Sequence, residues 1–374
     1  MIRRRFLHAS HARRFRLAQR LYADPPSPPA VLAPLAALWE GASRLQIAVR
    51  SAAQVALDRP VLSVGGIGLG GSGKTPFVRW LASALAREGR SAAVLTRGHG
   101  WVDAHGPALA LVPAGTAVAG SPSSARVPDE ARLYLRDGLT VGAHPRRAAA
   151  AAALARVGVR PDVWLLDDGF QHRQLRRDLD LVLIAARELG ATRRGLPAGP
   201  FREAWRALRR ADRLAITGLD EGRAGTLAGV GRRDLGLPPG PPPALAGHVW
   251  GGSVELEGWL AGEAFDAGGP AIGPCVAFSG IADPLGFERL LLARGLAVRA
   301  HVVFPDHHRY DPSDQARLLG LLPAGGTLLT TEKDAARLGS GWAPPGTCRV
   351  VRAELRLWRG EEDLVEDLRR LAGA

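Results

Sequence analysis

The sequence predicts an α/β protein: a parallel sheet covered by helices on both faces, followed by a second, smaller α/β domain. Three observations carry this. From residue 60 onward, short β-branched or leucine-rich runs alternate with helical stretches. The first run leads straight into a glycine-rich turn and a helix start. A Gly- and Pro-rich stretch then parts the alternating pattern in two. Apolar runs without period-two alternation belong to strands covered on both sides, and strands that alternate with helices form parallel sheets.

Ahead of that pattern, residues 1–59 read as a basic, amphipathic helical segment. Arg3, Arg4, Arg5, Arg13, Arg14, Arg16 and Arg20 are interleaved with Phe6, Leu7, Phe15, Leu17 and Leu21. PPSPP (25–29) makes a stiff break, and residues 31–57 are helix-compatible. The uncharged run from Pro25 to Trp39 is too short and too proline-rich to span a bilayer. No signal-peptide core follows the arginines. The segment suits a helix lying in the interface of an anionic leaflet. The alternative is a solvated basic tail followed by a helix packed on the main domain.

The expected strands of the main domain, 60–220, are Val61–Val64, Ala92–Thr96, Val163–Leu166, Leu179–Ile184 and Leu214–Thr217. Helical stretches between them include Phe77–Glu88 and the alanine-rich 146–156. Residues 219–270, which contain LGLPPGPPPALAG, read as a linker with weak strand signals. A second α/β stretch runs from Val276 to about Trp358, so the smaller domain is expected over 221–374 with the boundary near 220.

Composition bounds the chemistry. The 374 residues are 46% hydrophobic and 23% charged, enough to bury a sizeable core. Cys275 and Cys348 stand far apart in no metal-ligand spacing, which excludes a disulfide framework and fits a reducing compartment. The net charge of +13 points to an anionic partner or to a genome rich in arginine codons. Of the basic residues only Lys74 and Lys333 are lysines. A compact ammonium retained in so arginine-rich a chain suggests a specific need for it.

Gly68, Leu69, Gly70, Gly71, Ser72, Gly73, Lys74 and Thr75 spell GLGGSGKT between a strand and a helix. That is the phosphate-binding loop context of a P-loop NTPase-type sheet. Glycines let backbone amides curl around phosphate oxygens, and the helix start adds partial positive charge. Lys74 would reach the β- and γ-phosphates of ATP, and the Thr75 hydroxyl would ligate Mg²⁺. Asp167 and Asp168 end the buried run Val163–Leu166, where such an enzyme places a second Mg²⁺ anchor. Within DDGFQH (167–172), Gly169 makes a turn, and Gln171 and His172 could face the phosphates.

Further segments follow in a fixed order: TRGHGW (96–101), PDEA (128–131), RRGLPAGPFRE (193–203), FPDHHRY (304–310) and TTEKDAARL (330–338). With the loop and DDGFQH, this series closely resembles the tetraacyldisaccharide 4′-kinase family of lipid A biosynthesis, over roughly residues 60–340. The resemblance implies transfer of the ATP γ-phosphoryl group to the 4′-hydroxyl of a tetraacylated glucosamine disaccharide 1-phosphate. It also implies a monotopic protein on the anionic cytoplasmic face of the bacterial inner membrane, acting on a lipid disaccharide. By the same resemblance Asp129 is the candidate base for the sugar hydroxyl and His307 its partner. Thr75, Asp168 and Glu203 belong near Mg²⁺, with Asp167 and His172 close by. Arg97 and Arg202 are phosphate contacts. Four positions depart from the family pattern: Gly66 replaces Asn, Gly68 replaces Thr or Ser, His99 replaces Tyr, and Pro128 replaces Gly.

Two other readings stand beside this one. A P-loop GTPase or metallochaperone would need a guanine-reading segment, which TEKD (331–334) imitates only in part, because Lys333 falls one place late. A nucleotide-binding membrane adaptor would show no turnover. The chain contains no zinc module or aromatic-basic motif for nucleic acid.

Overall fold

Hydrophobic runs in this chain become strands, and the turns that follow them carry the unusual backbone. The computed structural model describes residues 3–6, 32–52, 54–98, 108–113, 127–191, 193–268 and 272–373. His99 and most of residues 1–31 lie outside these.

The elements begin with β1 (Arg3–Phe6), α1 (Leu32–Ala52), β2 (Val61–Gly66), α2 (Lys74–Arg87), β3 (Ala92–Thr96) and β4 (Leu109–Leu111). They continue with α3 (Asp129–Arg136), β5 (Thr140–Ala143), α4 (Arg147–Arg156), β6 (Val163–Asp167), β7 (Leu179–Ala185) and β8 (Arg213–Thr217). Next come α5 (Glu221–Ala228), β9 (Ala244–Glu255), α6 (Leu256–Ala261), β10 (Cys275–Ser279), α7 (Pro284–Ala293) and β11 (Val298–Val303). The last are α8 (Pro312–Leu319), β12 (Thr327–Thr331), α9 (Glu332–Ala335), β13 (Cys348–Arg359) and α10 (Glu361–Gly373).

The chain divides into two units. The larger comprises Arg20–Gly247 and Leu355–Ala374. Its strands run in the order β9-β8-β7-β2-β6-β3-β5-β4. All pair in parallel except β4, which runs antiparallel to β5 and makes the sheet mixed. Every residue of β2 and β7 is buried, which explains why their sequences do not alternate. Helix α2 turns Phe77, Val78, Leu81, Ala82 and Leu85 inward at helical spacing, onto Leu62, Val64 and Val94 of the sheet. The central strand β2 lies between β6 and β7, so the turns at their carboxyl ends converge.

The smaller unit comprises Met1–Gln19 and His248–Glu354. Its parallel strands run β1-β11-β10-β12-β13. Cys275, Ala277, Phe287, Leu290, Leu291, Leu329 and Val351 form a core within it. Asp311 caps α8 by accepting from the amides of Ser313 and Asp314, with Pro312 in the first turn.

Three expectations on domain organisation are corrected. The boundary placed near 220 falls at Gly247 and His248, and the C-terminal helix returns to the larger unit. There α10 buries Leu364 and Leu368 in the core that holds Leu81 and Leu85, and Asp367 accepts from Arg213 at 2.9 Å. Residues 219–270 are not a linker. Their prolines cluster at 238–243, and α5, β9 and α6 form on either side. Residues 1–59 are not one helical segment: Arg3–Phe6 pairs as a strand with β11 in the smaller unit, whereas α1 belongs to the larger.

Gly65 marks the tightest crossing at the centre of the larger sheet. A Cβ there would stand 2.5 Å from Phe170 Cβ and 2.6 Å from its backbone nitrogen. Backbone cannot swing aside, so Gly65→Ala is expected to destabilise the protein by about 1–3 kcal/mol, an overpacking cost read by urea denaturation. A variant as stable as the parent would contradict this packing.

Candidate active site

The loop between β2 and α2 takes the shape its glycines allow. Gly71 and Gly73 have φ of 68° and 75°, a region that side chains disfavour. Gly73 precedes α2 and supplies no side-chain cap, and the first turn holds no acid. The opening amides and dipole of α2 are therefore left for an anion. Protein contacts pin the loop from outside. Thr217 Oγ1 donates to Ser72 O at 2.9 Å, and Arg187 Nη2 donates to Gly70 O at 2.9 Å. The Arg202 amide donates to Ile67 O at 2.7 Å, and Phe201 forms a β-bridge with Gly68. The LPAGPFRE segment is thus a brace along the start of the loop.

Asp168 stands where β6 ends, with φ of 50°. Its Oδ1 lies 3.3 Å from Lys74 Nζ, and its Oδ2 accepts from Arg202 Nη1 at 2.9 Å. Burial works to raise its pKa, but the Lys74 ammonium and Arg202 guanidinium overcome this and hold the carboxyl at about 2. Oδ1 is itself buried and completes no hydrogen bond. An ionised, incompletely bonded oxygen beside the phosphate loop and the buried Thr75 fits a divalent cation such as Mg²⁺.

Asp167, one residue earlier, behaves oppositely. Burial, then the negative charges of Glu130 and Asp168, push it up to about 7. Tyr134 Oη donates to its Oδ2 at 2.9 Å. Tyr134 lies on α3, whose first residue is Asp129, so this bond ties the candidate base's helix to the metal side of the loop. Pro128 precedes Asp129 at φ −55° and ψ 141°, a conformation proline adopts without strain, which accounts for its replacing glycine.

Other expected residues have narrower roles. Glu203 is buried, and its carboxylate accepts from Gln171 at 3.1 Å and Arg210 at 2.8 Å. Each of its oxygens thus takes one protein donor, which leaves each a second lone pair. Gln171 also donates to Gly66 O at 3.0 Å, so its amide holds backbone rather than phosphate. His172 closes the turn by its amide donating to Gly169 O at 2.8 Å. Arg97 is exposed beyond β3. Arg202 commits one guanidinium nitrogen to Asp168.

Sequence reasoning missed Arg147 and Glu188. Arg147 is buried, its pKa lowered to about 10 chiefly by that burial, and its Nε has no hydrogen-bond partner among the described residues. It sits within electrostatic reach of Asp168, Asp167 and Arg97. One arginine among so many gave no signal in sequence. Glu188 accepts from the Ala185 amide at 2.9 Å and fills the space beside Gly68. A Cβ on Gly68 would stand 2.1 Å from Glu188 Oε1, so Thr or Ser there requires the Glu188 carboxylate to move. A Cβ on Gly66 would come within 3.1 Å of Leu183 O and 3.2 Å of Ser72 Oγ, which leaves little space for Asn.

His307 belongs to the smaller unit and Asp129 to the larger. His307 is exposed, and its amide lies 3.2 Å from Gly280 O. With φ of 60°, it and Asp168 are the non-glycine residues of positive φ among those described. Such conformations cost roughly 1–2 kcal/mol and gather at functional sites.

Comparison with known proteins identifies the family. A family model described as tetraacyldisaccharide-1-P 4′-kinase matches residues 29–372. A tetraacyldisaccharide 4′-kinase of Anaeromyxobacter sp. (strain Fw109-5) is 37% identical over 357 residues, covering 92% of each chain. One from Syntrophobacter fumaroxidans is 38% identical over 314 residues, or 81% of this chain and 77% of that one. A crystal structure of LpxK from Aquifex aeolicus in complex with ATP superimposes with a TM-score of 0.67 at 27% identity. It covers 90% of this chain and 97% of its own.

Asp167 sets a pH dependence. Its folded pKa of about 7 exceeds the ordinary 3.8, so between those values the folded state holds an extra proton. Stability therefore falls as pH rises through that window, by on the order of a few kcal/mol. Urea denaturation of the nucleotide-free protein at pH 5 and pH 8 is expected to show this loss, and Asp167→Asn to flatten it. A parent whose stability rises between those pH values would contradict the assignment.

Proposed function

The chain belongs to the tetraacyldisaccharide 4′-kinase family, and we propose on that premise how its residues divide the reaction. The enzyme transfers the γ-phosphoryl group of ATP to the 4′-hydroxyl of tetraacyldisaccharide 1-phosphate, a step of lipid A biosynthesis. The observation that carries the residue-level reading is the convergence of an uncapped helix start, Lys74 and an ionised Asp168 at the end of β2. The amides of Gly68 to Thr75 and the Lys74 ammonium bind the β- and γ-phosphates. Thr75 and Asp168 hold Mg²⁺, which when bound neutralises charge on the phosphate oxygens. Arg147 and Arg97 add positive charge beside them.

Asp129 accepts the proton of the 4′-hydroxyl as its oxygen bonds to the γ-phosphorus. The bond from that phosphorus to the bridging oxygen breaks, and ADP leaves with the electron pair. His307, carried over from the family's Asp-His segment, acts with this base. His172 and Arg202 shape the nucleotide side, Arg202 by holding Asp168.

We further place the enzyme on the anionic face of the inner membrane. Leu35, Leu38, Leu45 and Val49 of α1 are 51%, 71%, 68% and 65% exposed, and their spacing puts them on one helical face. Among the described residues no helix is long and apolar enough to cross a membrane. A helix lying in the interface suits both facts.

The deciding assay combines the protein, ATP and Mg²⁺ with the disaccharide 1-phosphate in detergent. A 4′-phosphorylated product is expected. Lys74→Ala and Asp129→Ala are each expected to lower kcat by roughly 10²-fold or more. Bound ATP with no lipid product would instead favour a non-catalytic nucleotide-binding adaptor. For the membrane, Leu38→Asp with Leu45→Asp is expected to weaken sedimentation with anionic vesicles by about tenfold or more, given 1.5–3 kcal/mol per buried leucine. Undiminished sedimentation would remove α1 from the membrane contact.

A further inference from the structure

The TTEKDAARL segment takes no part in the phosphate chemistry above, yet it organises the loop that carries His307. Thr331 caps α9, its Oγ1 accepting from the Asp334 amide at 3.2 Å. This turns the Asp334 side chain into the interior of the smaller unit, where it is fully buried. Four donors meet it there. Oδ1 accepts from the Gly280 amide at 2.9 Å, from Tyr310 Oη at 2.8 Å and from Arg337 Nη1 at 3.2 Å. Oδ2 accepts from Thr331 Oγ1 at 2.6 Å. One carboxylate thus joins three segments: the end of β10 at Gly280, the FPDHHRY segment at Tyr310, and its own helix.

Arg337 extends the network outward. Its side chain is 5% exposed, and Nη1 also donates to Gly280 O at 3.1 Å. The same carbonyl lies 3.2 Å from the His307 amide, so both groups share one anchor. The Arg337 Nη2 atom lies 3.4 Å from His307 Nδ1. His308 and Tyr310 of the same segment are held separately. His308 Nε2 lies 2.7 Å from Asp314 Oδ2, and the Tyr310 ring packs edge-on to Phe278 and Phe304. The backbone of His307, at φ 60°, is therefore held by its own amide at Gly280 O and by the fixed residues that follow it.

A guanidinium has only donors and keeps its charge, so the imidazole nitrogen facing it must accept. In the neutral ring the single proton then sits on Nε2. We propose that Arg337, oriented by Asp334, is a positioning residue that holds His307 with Nδ1 as acceptor and Nε2–H directed away as a donor. That form suits an anionic oxygen, whether carboxylate or phosphate, and the opposite tautomer would present a lone pair to it. The inference rests on His307 being a working group of the kinase.

Long-range ¹H–¹⁵N correlation spectra of the full-length enzyme, labelled at histidine and assigned with His307→Gln, read the tautomer directly. The parent is expected to show His307 protonated on Nε2 alone when neutral, and Arg337→Met a mixture. In turnover, Arg337→Met is expected to lower kcat by about tenfold, a part of the roughly 10²–10⁴-fold a positioned acid or base supplies, at an unchanged KM for ATP. Arg337→Lys, which keeps a charged donor, recovers part of both. A parent protonated on Nδ1 overturns the proposal, as does Arg337→Met with parental tautomer and kcat. Should Arg337→Met misfold, shown by loss of ATP turnover and denatured spectra, the parent's tautomer and Arg337→Lys decide. If His307→Ala turns over normally, the role given to His307 falls, while the tautomer still judges the Arg337 contact.

Discussion

Two cations hold one half-buried carboxylate where β6 ends: Lys74 Nζ lies 3.3 Å from Asp168 Oδ1, and Arg202 Nη1 lies 2.9 Å from Oδ2. The pairing links three separate stretches of chain. Lys74 opens α2 directly after the glycine loop, Asp168 follows β6, and Arg202 belongs to the brace whose amide holds Ile67. Geometry at the phosphate loop is thus inherited from strand pairing. β2 lies between β6 and β7, and everything needed for a nucleotide leaves the sheet at that end. The positive φ of Asp168 is the local cost, offset by the contacts its side chain gains.

Neighbouring carboxylates in this site are driven apart by their surroundings. Asp168 faces two cations and stays ionised, at about 2, although burial opposes it. Asp167 faces the interior, Glu130 and Tyr134, and is pushed up to about 7. Adjacent residues on a strand end point to opposite sides, so one sequence dipeptide supplies two electrostatic environments. Only the outward member is suited to a metal ion. The inward one joins α3, with Asp129 at its start, to the sheet through Tyr134.

Three of the four departures from the family pattern, Gly66, Gly68 and Pro128, are accounted for by the local backbone and packing. Gly68 leaves room for the Glu188 carboxylate, Gly66 is confined by Leu183 O and Ser72, and Pro128 matches the backbone its position adopts. The smaller unit uses a comparable device without any nucleotide. Buried Asp334 gathers donors from the end of β10, from the FPDHHRY segment and from its own helix ends, and so fixes the segment that carries His307.

The strands β2, β3, β6, β7 and β8, the glycine loop and the helix after it were legible in the sequence, because continuous apolar runs and a glycine-lysine turn are local signals. Asp168 was legible for the same reason, standing at the end of such a run. The return of α10 to the larger unit, the strand made by Arg3–Phe6, and β9 within a supposed linker were not legible. Each depends on contacts between residues far apart in the chain. Glu203 shows the limit most plainly: its motif placed it at the site, but only the fold shows that Gln171 and Arg210 donate to its oxygens. Arg147 shows the reverse, since composition hid among many arginines the one whose burial beside the paired aspartates sets it apart. Sequence by itself determined which segments become strands and which turn holds phosphate, since those follow from local pattern and backbone freedom. Tertiary structure alone decided which charged side chains meet, because burial and partnership depend on where distant segments are brought together.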